Sequence, residues 1–194
     1  MAVDLYIDPP TYQFGALDIY RYFKWEFLPG PICEMISRES QYLELNHLLL
    51  DRLMFTAEGK ISEKPYSSKL KNNVRAGLIK STLFLYASIA EAALRAIAEI
   101  RGYDLPKNEF HRTFGKILGA WQLEDESPRE ELKEVWSSIK ELYNLRNNIH
   151  LFKALKDGTS EIDYLILNES RLLNEANHLL EVLAAIDPYP KPRI

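Results

Sequence analysis

The sequence predicts an all-α protein, a bundle of five or six helices. Long segments repeat apolar residues at steps of three and four, which gives a helix one apolar face. Proline, glycine and capping residues interrupt these segments where helices would start and stop. Only one segment, 160–167, reads as a strand, and a lone strand has nothing to pair with except the N-terminal arm or a second chain. With 194 residues, 46% of them hydrophobic, one domain is expected, burying roughly 70% of its unfolded surface without a disulfide or metal staple.

The elements follow in order. Residues 1–14 are rich in proline and tyrosine and read as an extended arm. Ala16–Leu28 carries Tyr20, Phe23 and Phe27 at helical spacing; Pro29-Gly30-Pro31 stops it. The aromatic set Tyr20, Tyr22, Phe23, Trp25 and Phe27 could stack on bases or serve as packing. Ile32–Thr56 resumes a helical pattern, with Leu45, Leu48, Leu49, Leu53 and Phe55 on a wide apolar face. Gly59–Pro65 is a loop. The longest helix runs from Ser67 or Ser68 to Arg101, with serine at its start and Gly102 after its end. Its middle carries few charges, so it is expected to be buried on most sides. Glu91 and Arg95 are exceptions, at the i, i+4 spacing of a helix ion pair.

Phe110–Leu123 reads as a shorter amphipathic helix. Ser127-Pro128-Arg129-Glu130 has the pattern of a capping box with proline at the first helical position, and predicts a helix start. That helix stacks Leu132, Val135, Trp136, Ile139 and Leu142 on one stripe and is expected to continue through Arg146 and His150. Ser160–Leu167 is β-branched and apolar enough for a short strand or extended linker. Asn168 caps the last helix, and Asp187-Pro188 ends it.

Composition narrows the function classes. The single cysteine, Cys33, allows no internal disulfide and suits a reducing, cytoplasmic setting. The start lacks a signal-peptide pattern. The longest near-apolar run, Leu83–Ala93, is broken by Ser88 and Glu91 and falls short of the ~20 residues a membrane span needs. No membrane association is expected. A net charge of −4 argues against a generic polyanion binder, so any nucleic-acid contact needs a local basic patch. The four histidines are scattered without metal-ligand spacing, and no glycine-rich phosphate loop is present; neither metal nor cofactor is expected.

One constellation is left. In Leu145-Arg146-Asn147-Asn148-Ile149-His150, Arg146 and His150 lie four residues apart and would share a helix face one turn apart. The set suits an exposed helix end, where cations favour the negative pole of the dipole. It also suits acid–base work on a phosphodiester. Histidine can move a proton near neutrality, arginine can stabilise developing negative charge, and Asn147 can orient either.

This run resembles the Arg-Asn…His signature of the HEPN superfamily, though with a shorter Arg–His spacing than the commoner form. The alanine-rich Tyr86–Arg95, with its lone Glu91, resembles a core helix of that family. The resemblance spans roughly residues 67–186. It implies an HEPN-like up-and-down bundle over 67–194, with residues 1–66 as an N-terminal arm and helical extension packed on it. It further implies a metal-independent endoribonuclease of toxin–antitoxin or phage-defence type, acting on RNA as a homodimer, with a protein partner such as an antitoxin. Arg146, Asn147 and His150 would be catalytic, and Glu91 supporting. The alternative is a non-catalytic module of the same fold that binds a protein partner or a nucleotide.

Overall fold

The structure, a computed structural model, describes residues 3–7, 25–57, 66–69, 72–147 and 161–189. They form a helical bundle with a small sheet at one side. The order is β1 (Val3–Ile7), α1 (Gly30–Arg52), β2 (Leu53–Ala57), β3 (Tyr66–Lys69), α2 (Asn72–Ile100), α3 (Phe114–Ala120), α4 (Trp136–Asn147), α5 (Glu161–Leu167) and α6 (Glu169–Ala184). Single 3-10 turns at Glu109–His111 and Glu130–Leu132 precede α3 and α4.

Helix α2 is the axle of the bundle and packs against each of the other five helices. Its sequence explains why. Ala76, Ala87, Ala90, Ala93, Ala96 and Ala98 are buried, so neighbouring helices can approach closely on several sides. Ile79, Ile89, Leu94 and Ile97 fill the gaps between them. The helix ends as the glycine predicts. Gly102 has φ of +66°, Tyr103 N–H donates to Ala98 C=O at 2.9 Å and Gly102 N–H to Glu99 C=O at 3.2 Å. These two bonds are the Schellman arrangement. Behind this corner Trp121 is fully buried, its indole N–H donating to Leu94 C=O at 3.0 Å.

Several boundaries differ from the sequence expectation. Pro29-Gly30-Pro31 opens a helix instead of closing one: α1 begins at Gly30, and Pro31 sits in the first turn, where an N–H has no helical acceptor. Trp25–Phe27 is a turn preceding it, with Trp25 buried in the core. The rest of the expected helix at 16–28 lies outside the described residues, as does the 59–65 loop. Helix α1 stops at Arg52, and Leu53–Ala57 is a strand. Leu53 and Phe55 satisfy a period of two as well as a helical stripe, and pairing on both edges decides for the strand. β1 and β3 flank β2 antiparallel, with Leu5 opposite Phe55 and Phe55 opposite Ser68. The N-terminal arm is thus extended as expected, and part of it is β1. Ser67 and Ser68 belong to β3, and α2 starts at Asn72.

The capping box at Ser127 does not form. The Ser127 hydroxyl donates to Asp125 Oδ1 at 2.5 Å and so is occupied, while Pro128 bridges to Gln122. The chain passes through a 3-10 turn before α4 begins at Trp136. The expected helix at 110–123 shortens to α3. Ser160–Leu167 is not a strand: Glu161–Leu167 is α5. A lone strand there would leave its backbone groups unpaired, whereas a helix satisfies them internally and still buries Leu165. Asn168 stands at the N-cap of α6 but makes no side-chain cap, its amide donating instead to Tyr164 C=O at 2.9 Å. No helix among the described residues is long and apolar enough to cross a membrane.

Candidate functional site at the end of α4

Helix α4 is held by one face. Ile139 and Leu142 are buried in the core, and Tyr143 meets Phe114 of α3 edge to face, ring centroids 5.6 Å apart. The contact is close enough that a Cβ on Gly115 would stand 2.9 Å from the Tyr143 hydroxyl. This packing sets the rotation of the helix and so aims Arg146, in its last turn, along α3 and α2.

Arg146 is held on two sides. Its Nη1 donates to Glu91 Oε2 of α2, an ion pair between side chains that keep 34% and 20% of their exposure. Its guanidinium also lies 5.7 Å from the centre of the Phe114 ring. The sequence spacing paired Glu91 with Arg95. Arg95 turns the other way, donating to Glu99 at 2.8 Å, and Glu91 takes its partner from α4. The structure thus brings together two of the four predicted residues, Glu91 and Arg146. Asn147 is exposed at the helix end. His150 lies outside the described residues.

Arg146 also borders a small hollow with Lys80, Leu83 and Phe84 of α2, Leu145 of α4 and Leu165 of α5. The hollow thus sets the Lys80 side chain beside Arg146. Arg75 is committed elsewhere: it donates to Glu169 through Nε at 2.7 Å and to Leu50 C=O at 2.8 Å, tying α1, α2 and α6. Lys140 lies against Trp136. Lys153, Lys156 and Lys71 fall outside the described residues.

One turn before the motif a second network fixes α4 to its neighbours. Arg171 of α6 grips both oxygens of Glu141 at 2.9 and 3.0 Å, and the Tyr164 hydroxyl of α5 donates to the same carboxylate. The Arg171 hydrogen bond holds the Glu141 carboxyl below its ordinary range, against the opposing pull of burial. Burial first, then the bond to Glu141, pushes the Tyr164 hydroxyl up. Neither Phe114 nor the Glu141 network was found from the sequence. The signal available was the unbroken apolar stripe of α4, which says that the motif rests on a fixed base without naming what it rests on.

Of the aromatic candidates, Tyr20, Tyr22 and Phe23 lie outside the described residues. Cys33 is buried, and Trp25 and Phe27 belong to the core and its edge. Among the described residues, no three of His, Cys, Asp and Glu gather in a way that could hold a metal ion. The chain matches no protein-family model, no curated protein and no solved structure.

Proposed function

We propose that the chain is an HEPN-like endoribonuclease that works without a metal, as a homodimer, with Arg146, Asn147 and His150 as its catalytic set. The observation that carries the reading is the Glu91–Arg146 pair. Glu91, in the alanine-rich stretch of α2, and the arginine of the motif, 55 residues apart in sequence, meet side chain to side chain. The resemblance to the HEPN superfamily rests on these same two segments. Glu91 acts here as a positioning residue, holding the guanidinium over Phe114 with part of its surface still open. The chemistry is attack of a ribose 2′-hydroxyl on the adjacent phosphorus. His150 takes the hydroxyl proton, Arg146 stabilises the charge that builds on the phosphoryl oxygens, and Asn147 orients these two side chains. The P–O5′ bond breaks as the second copy's imidazole returns a proton to the departing oxygen, leaving a 2′,3′-cyclic phosphate and a 5′-hydroxyl. Helix α5, beside this end of α4, leaves Leu167 83% exposed and Ile162 and Tyr164 partly so, which suits a face covered by a second copy.

The test is RNA cleavage with a chelator present. Arg146→Ala or His150→Ala is expected to lower the rate by about 10²-fold or more. Glu91→Gln is expected to lower it less, by leaving Arg146 unheld. Full activity in both alanine variants would end the proposal.

A second reading draws on the same ion pair. A guanidinium already matched by a carboxylate has less charge to give a phosphate, as a non-catalytic module binding a protein or nucleotide would allow. It predicts that Arg146→Ala lowers stability while the wild-type chain cleaves nothing.

A further inference from the structure

We infer that the groove between the 103–107 segment, α3 and the 122–129 segment binds an organic phosphate, separately from Arg146. The groove has a volume of about 550 Å³, within the roughly 300–1,000 Å³ range of small-molecule sites. Its charge runs against that of the chain: Lys107, Lys116 and Arg129 line it with one carboxylate, Asp104, in a protein of net charge −4. Glu131 lies near Arg129 but is held by Arg101 at 2.7 Å. Among the described residues, Lys107 and Lys116 are exposed and enter no ion pair.

Arg129 is the fixed member. Its guanidinium lies 3.9 Å from the centre of the Tyr103 ring. Tyr103 is itself braced, edge-on against buried Trp121 at 5.1 Å and accepting a hydrogen bond from Arg101 at 3.0 Å. The Arg129 Nε points at Ala120 C=O, 3.5 Å away, and its terminal Nη groups have no protein acceptor among the described residues. A rigid fork flanked by two mobile ammonium groups from separate segments offers donors from three directions. That matches the several oxygens and double charge of a phosphomonoester better than the two oxygens and single charge of a carboxylate. Leu105, Pro106 and Ala120 add half-buried apolar surface, against which the carbon portion of an ester can rest.

The experiment is an amide-shift NMR titration of the full chain at low salt with phenyl phosphate, inorganic phosphate and benzoate. Phenyl phosphate is expected to saturate, shifting the Gly119 and Ala120 amides, and to bind at least about tenfold tighter than benzoate, one charge-assisted contact's worth. The double variant Lys107→Ala/Lys116→Ala should weaken it at least about tenfold. A charge-matched double on α1, Arg38→Ala/Arg52→Ala, should leave it within about twofold. Arg146→Ala should not alter it, which keeps this inference distinct from the cleavage reading. Benzoate binding as tightly as phenyl phosphate, an equal loss in the α1 double, or no saturation would each overturn the proposal. Inorganic phosphate binding as tightly as the ester would overturn the assignment to an organic phosphate.

Discussion

At the level of single residues, the pairing of Glu91 with Arg146 decides how the motif is held. An i, i+4 pair on one helix face contributes only about 0.3–0.5 kcal/mol. A charge-assisted bond between part-buried groups on two helices contributes about 1–3 kcal/mol. Glu91 therefore goes to Arg146, and Arg95 goes to Glu99. Because Arg146 keeps a third of its exposure, the lower half of that range applies. Glu91→Ala and Arg146→Ala should each cost about 1–2 kcal/mol in urea unfolding. The double variant should fall short of the sum by about 1 kcal/mol, the coupling of the pair. Strict additivity would mean the two side chains do not interact in solution. The candidates Glu91 and Arg146 were both visible in the sequence, and their contact was not. Spacing along one helix names neighbours on that helix only, and nothing in the periodicity says which turn of α4 crosses α2 at Glu91.

At the level of elements, helix interiors were legible and their ends were not. The end of α2 is the exception. Gly102, just past the last apolar residue, needs φ of +66°, a conformation that costs an L-residue about 1–2 kcal/mol. Gly102→Ala is expected to destabilise the chain by about that amount in denaturant unfolding, with helical content unchanged. An unchanged midpoint would remove the strain argument. The start of α4 departs from the sequence pattern because a capping box is a pattern of residue types, and Asp125 takes the Ser127 hydroxyl. The strand at Leu53–Ala57 is not legible in local periodicity because its partner β1 lies about 50 residues upstream. The docking of α5 and α6 on α4 makes a further prediction, through pH. The folded-state pKa of Glu141 is depressed, chiefly by Arg171. The unfolded chain therefore takes up this proton first. The stabilisation is complete above the unfolded value of about 4.3 and disappears as pH falls through the lower folded value. Glu141→Gln should be less stable than wild type at pH 7, and the gap should close below about pH 4. A gap that stays constant from pH 7 to pH 3 would mean that charge has no part in this clamp.

At the level of the whole molecule, the all-α expectation holds because α2 packs against each of the other five helices. A helix that is apolar nearly all round has to be covered nearly all round, and the periodicity of residues 72–100 says so directly. The sheet could not be foreseen in this way, since its strands come from three separated stretches. The same architecture bears on whether residues 1–66 unfold apart from the rest. Trp25 and Leu28 lie in one continuous core with Ile97 of α2, Trp121 and Leu179 of α6. Removing a buried Ile97 side chain should therefore weaken both ends of the chain together. Ile97→Ala is expected to cost about 2–5 kcal/mol. The three tryptophans, Trp25, Trp121 and Trp136, are all buried and report on both parts of the bundle. In urea, tryptophan fluorescence and far-UV circular dichroism should trace one coincident transition in wild type, displaced to lower denaturant but still coincident in Ile97→Ala. A Trp25→Phe variant should follow the same curve apart from its smaller signal. If fluorescence in wild type resolves an early step that Trp25→Phe lacks, the N-terminal part opens by itself, and the shared core does not couple it to α2.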